Sequence, residues 1–151
     1  MTDTMSQSTD PLDEQSQADH RCVHTEYILG IRIIKVTTDE GSITYQFDAP
    51  DHKHMEFEDL KLAKLYADVY FDVNGFAELG TGERGVPPGI VQAGRDTLAA
   101  YFLTQHGIDI HWISSFYGKK PGKIRQYVSR VQSRASEVRE KAAKLDVERI
   151  E

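Results

Sequence analysis

The sequence predicts an α+β protein, with an N-terminal β-hairpin plus helix and then a C-terminal three-helix helix-turn-helix unit with a long last helix. Three observations predict it. Residues 43–47 alternate strictly between apolar and polar behind a β-branched run at 27–36, which is a strand signal. From residue 59 onward the apolar residues recur at three and four instead, which is a helix signal. Between residues 106 and 122, glycines and a proline then divide the helical pattern into short pieces with capping residues at the cuts.

A chain of 151 residues has the length of one ordinary domain. With 39% hydrophobic and 28% charged residues it is globular in composition, which excludes a fibrous or fully disordered chain. No apolar run approaches the ~20 residues that span a bilayer, so no membrane partner is expected. The N-terminus has neither a basic nor an apolar region of the signal-peptide kind. The single cysteine, Cys22, fits a reducing interior, and the expected location is cytoplasmic.

Residues 1–24 hold mostly Ser, Thr, Gln and Asp and are expected to form a disordered tail. Residues 25–77 form the hairpin and helix module. Its strands, 27–36 and 43–47, flank the turn Asp39-Glu40-Gly41-Ser42, and Ala49-Pro50-Asp51 ends the second. Its helix, 59–74, carries Leu62, Leu65, Tyr66, Val69, Tyr70 and Val73 on one stripe, with Asp59 as N-cap and Asn74-Gly75 as the stop. Residues 78–93 are rich in Gly and Pro and read as a loop, a hinge between two halves. Residues 94–151 carry the rest. A helix at 96–106 stops at Gly107, and a second at 110–117 has Asp109 as N-cap and stops at Gly118. Pro121 suits the first turn of a third, which runs towards Leu145.

The net charge of −6 is unevenly spread. Residues 1–117 hold 8 Lys and Arg against 19 Asp and Glu, a net of −11, whereas residues 118–144 hold 9 basic residues against Glu137 and Glu140, a net of +7. A basic face needs only to be local to meet a polyanion.

The basic segment follows two short helices in a spacing that closes a helix-turn-helix. A small residue in the first helix lets the axes approach, a glycine four residues on takes the turn, and a branched apolar residue six further on packs back. Ser114, Gly118 and Ile124 stand at those places, supported by Ile110, Ile113, Tyr117 and Val128. The segment GIDIHWISSFYGKKPGKIRQYVSRVQSRA resembles the helix-turn-helix of DNA-binding regulators, including the sigma-factor region that reads promoters. The resemblance covers residues 95–135 and implies double-stranded DNA as the partner. It departs in Ser114, where alanine is usual, and in Gly122, which removes a contact near the start of the recognition helix.

On a helix from Pro121, the apolar residues Ile124, Val128, Val131 and Ala135 form one stripe, with Lys123, Gln126, Arg130 and Arg134 on a neighbouring face. The N-terminal residues of a recognition helix lie nearest the base edges. Lys123 and Gln126 are therefore the expected base contacts, since Lys donates to guanine and Gln pairs with adenine. Lys119, Lys120, Arg125 and Arg130 are the expected phosphate contacts.

The stripe continues through Val138, Ala142 and Leu145 as a sustained heptad. Two occupants fit it: a second copy, in a coiled-coil homodimer, or the acidic first half of the same chain. A protein-interaction adaptor using the basic helix to dock a partner is the alternative to a regulator.

Other constellations carry less. His20, Cys22 and His24 alternate, as do His52 and His54, and offer zinc-type ligands without metal-site spacing. GTGERG lacks the Gly-Lys-Ser/Thr of a phosphate loop. Asp68 and Asp72 share a helical face as an acid–base pair would, with Lys64 beside them as on a solvated ionic face. No nucleophile–base arrangement emerges, so neither an enzyme, a cofactor nor a bound metal is expected.

Overall fold

The computed structural model describes residues 20–76 and 86–150, with backbone only for 146–150. Four strands come first: β1 (His20–Glu26), β2 (Arg32–Thr37), β3 (Ile43–Asp48) and β4 (Met55–Phe57). They form one antiparallel sheet in chain order. Five helices follow: α1 (Leu60–Asp72), α2 (Pro88–Ala93), α3 (Arg95–Leu103), α4 (Ile110–Tyr117) and α5 (Pro121–Ile150). The protein is α+β.

The second strand and the turn lie where the alternation placed them, with Ile33 opposite Phe47 and Lys35 opposite Tyr45. The first strand, expected over 27–36, begins only at Arg32, because Ile28–Gly30 form a 3-10 turn in which Leu29 and Gly30 are left-handed. Residues 20–24, expected in a disordered tail, belong instead to β1, where Val23 pairs with Ile34 and Cys22 with Lys35. The backbone of this strand completes the outer ladder of β2, while every side chain except Thr25 is exposed. An edge strand of that kind has no apolar alternation to announce it. Residues 1–19 and 77–85 lie outside the described residues, and with them most of the tail and the GTGERG loop. The remainder of the expected 78–93 loop contains α2, opened by Pro87-Pro88 and anchored by the fully buried Ile90.

Helix α1 begins where Asp59 accepts a hydrogen bond from Lys61 N–H at 2.8 Å. It ends in paired bonds, Gly75 N–H to Tyr70 C=O at 2.7 Å and Asn74 N–H to Phe71 C=O at 3.1 Å, with Asn74 left-handed at φ +58°. Its apolar stripe packs on the sheet face that carries Ile33 and Phe47, and its far side meets α5.

One core therefore joins residues from both halves of the sequence. Ile33, Phe47, Tyr66, Val69, Ile90 and Val131 are all fully buried in the same cluster. Of the two occupants that fit the α5 stripe, the first half of the chain covers it from Val128 to Val138, and Leu145 remains 62% exposed. Among the described residues no helix is long and apolar enough to cross a membrane.

Candidate nucleic-acid interface

A second, smaller cluster holds α3, α4 and the start of α5 together. Ala99, Ile113 and Ile124 are fully buried in it, Tyr127 nearly so, with Phe102, Leu103, Ile110 and Tyr117 around them. Asp109 caps α4 by accepting from Trp112 N–H at 2.9 Å. At the other end Gly118 is left-handed, with φ +65°. Gly118 N–H donates to Ser115 C=O at 3.2 Å and Lys119 N–H to Ser114 C=O at 3.0 Å, the bond pair of a glycine-terminated helix. The small residue Ser114 donates its hydroxyl to the Lys119 carbonyl, tying the turn to the helix it leaves.

Gly118 sets the direction of α5, and a side chain there would meet nothing within 4 Å. The cost of a substitution is therefore that of the backbone alone. Gly118→Val should destabilise by about 1–3 kcal/mol, and Gly118→Asn by clearly less, because Asn tolerates the left-handed region. Thermal melts of the two variants read this ordering; a Val variant melting with the parent would contradict it.

The expected contact residues lie around the first turns of α5. Lys119, Lys120, Arg125, Gln126 and Arg130 are exposed and Lys123 is half-buried. Lys123 Nζ and the Arg130 guanidinium sit 5.6 and 5.8 Å from the centre of the Tyr127 ring, so the buried phenol orients two cations that reach solvent. Among the described residues, no carboxylate lies within ion-pair distance of these five cations.

Further along the same helix the charges are used differently. Arg134, expected beside Gln126 and Arg130 on the outer face, turns inward. Its Nε donates to Asp72 at 2.7 Å, its Nη1 to Asp96 at 2.9 Å and its Nη2 to Thr97 at 3.2 Å. Arg139 donates to Asp68 at 2.8 Å and lies over the rings of Tyr27 and Phe71. The carboxylates of α1 are thus ion-pair partners of α5 rather than a solvated face.

Burial pushes the Asp96 carboxyl up, but the hydrogen bond and charge of Arg134, with backbone N–H donors, outweigh it and hold it below the ordinary carboxylate range. Burial wins at Asp68, which is raised despite Arg139. Hydrogen bonds to Asp72 and Asp96 hold the Arg134 guanidinium firmly protonated.

Sequence reasoning missed Arg95, Trp112 and Phe116. Trp112 and Phe116 stand one helical turn apart on α4, are 44% and 61% exposed, and stack with ring centroids 5.2 Å apart and planes within 8°. Their spacing of four residues on a helix was the available signal. The histidines do not converge. His52 is buried, its Nδ1 donating to Phe76 C=O at 3.0 Å and its Nε2 hydrogen-bonded with the Tyr66 hydroxyl at 2.9 Å, while His54 faces Asp48 at 3.1 Å. Among the described residues, no three His, Cys, Asp or Glu side chains are grouped to hold a metal ion.

No protein family, curated protein or solved structure matches the chain.

Proposed function

We propose that the protein is a DNA-binding transcriptional regulator that lays the first two turns of α5 in the major groove of duplex DNA. The observation that carries this reading is the division of charge along α5 and the turn that leads into it. Arg134 and Arg139 are neutralised by α1, whereas Lys119, Lys120, Arg125 and Arg130 are exposed and Lys123 half-buried, with no acid in ion-pair contact among the described residues. Five cations within twelve residues of an acidic protein, with no ion-pair partner among the described residues, suit a polyanionic partner. The left-handed Gly118 turn and the buried Ile113–Ile124 contact support a helix-turn-helix.

In this reading Lys123 and Gln126 contact base edges, and Lys119, Lys120, Arg125 and Arg130 contact phosphates. The protein is cytoplasmic and acts as a homodimer through the end of α5, where Leu145 extends the heptad beyond the fold. That same exposed end favours the second reading, an adaptor whose long helix docks a protein partner.

Selection from a random duplex pool at near-physiological salt tests the choice. One enriched motif is expected; a pool that stays random favours the adaptor. On the enriched site, Gln126→Ala should change the preferred sequence by roughly 1–3 kcal/mol at one base pair. Arg130→Ala should instead weaken all sequences alike and make the salt slope shallower by about one phosphate. A Gln126→Ala variant that loses the same factor on every single-pair variant of the site would show that Gln126 reads no base.

A further inference from the structure

The stacked pair Trp112–Phe116 is held from behind and open in front. The Phe102 ring meets both edge-on, at 5.5 Å from Trp112 and 5.7 Å from Phe116, which fixes the two rings against the α3–α4 core. In front of Phe116 lies an open groove of about 490 Å³, lined by Arg95, Leu98, Phe116, Tyr117 and Lys119. Among the described residues, its charged lining is the two cations, both exposed. The Tyr117 hydroxyl donates to the Arg95 carbonyl at 2.7 Å, so the end of α4 and the start of α3 are already fastened across the groove. Asp96, beside Arg95 in sequence, is turned away to Arg134.

We infer that this groove takes an unpaired nucleotide of a single strand, its base extending the Trp112–Phe116 stack and its phosphate lying between Arg95 and Lys119. The rings argue for a flat aromatic guest, since a parallel pair presents a π-face in the arrangement by which proteins hold bases. The cations argue for an anionic guest, and a nucleotide joins both properties in one unit. The inference rests on the nucleic-acid reading of α4 and α5 for its class of partner. It adds a strand that is not in the duplex and a set of residues, Arg95, Trp112 and Phe116, that the duplex does not use. DNA and RNA share the chemistry that the groove recognises.

Trp112 is the chain's one tryptophan, so its emission reports on the stack alone. The full chain is titrated with oligo-dT and oligo-U single strands of about 12 nucleotides, and with a duplex of the same length, following Trp112 emission and the anisotropy of labelled strands. Single strands are expected to bind and to quench Trp112, and the stronger of dT and U identifies the natural strand. Phe116→Ala should weaken single-strand binding about tenfold or more while duplex affinity stays within about twofold. Arg95→Gln should weaken it severalfold, flatten its salt dependence by about one phosphate and leave the quenching at saturation intact. Single strands that leave Trp112 emission unchanged, or that bind Phe116→Ala as tightly as the parent, overturn the inference. So does sedimentation in which Phe116→Ala turns a dimer into a monomer, since the rings would then be a contact between copies. Duplex binding without single-strand binding removes this inference alone; loss of both removes the duplex reading with it.

Discussion

Ile124→Asp is expected to abolish the cooperative melt of the protein or bring it below physiological temperature. Ile124 is fully buried among the apolar side chains of Ala99, Ile113 and Tyr127. A carboxylate placed there is either ionised without a partner or protonated without its hydrogen bonds, and each costs several kcal/mol. That is a large part of the ~5–15 kcal/mol by which a domain is stable. Ile124→Val, which removes one methylene from the same place, should cost only about 0.5–1.5 kcal/mol. Far- and near-UV circular dichroism on heating separates the three proteins. An Asp variant that melts with the parent would mean that α5 does not pack back on α4 through this residue.

Arg134→Ala is the second large effect, and it acts far from the exposed cations. The Asp72 side chain is only 4% exposed and Asp96 18%, and both depend on Arg134. Removing the guanidinium leaves Asp72 with the Thr97 hydroxyl, 2.8 Å away, as its remaining hydrogen-bond donor among those the network supplies. Breaking a buried ion pair on one side costs about 3–5 kcal/mol, and the 43% exposure of Arg134, which lets water reach the gap, places the expected loss near 2–3 kcal/mol. At a temperature where the variant is folded, its duplex affinity should equal that of the parent, in contrast to Arg130→Ala. A melt unchanged by Arg134→Ala, or a loss of duplex affinity in the folded variant, would return Arg134 to the outer face.

Much of the architecture was legible because local signals agreed. Asp59 and Asp109 cap the helices that their positions announced, and Asn74-Gly75 and Gly118 end helices in left-handed turns as their side chains allow. The period change from two to three-and-four located the hairpin and α1. β1 and α2 were hidden for opposite reasons. β1 contributes backbone bonds while exposing its side chains, so its composition reads as polar tail. α2 is six residues long, too short for a period, and buries one residue, Ile90.

Within the candidate site, the order of Ser114, Gly118 and Ile124 could be read from spacing alone. The fate of Arg134 could not, because Asp72 lies 62 residues away and only the packing of α1 on α5 brings it near. A helical wheel places a charge on a face; it does not say which neighbour covers that face. The same holds for the α5 stripe, whose heptad fits a second copy and the chain's own α1 equally well until the core is assembled.

The measurement that tests the duplex reading most directly is the affinity of the full chain for its selected duplex as salt is raised from 50 to 200 mM. Four phosphate contacts, from Lys119, Lys120, Arg125 and Arg130, should release counterions with a log–log slope near −4 per subunit at about −0.9 per contact. Arg125→Ala should flatten it by about one contact, and Arg134→Ala should leave it unchanged. Absence of binding at 50 mM, or an affinity that does not change across the range, would contradict the assignment of the exposed cations of α5 to a nucleic-acid backbone.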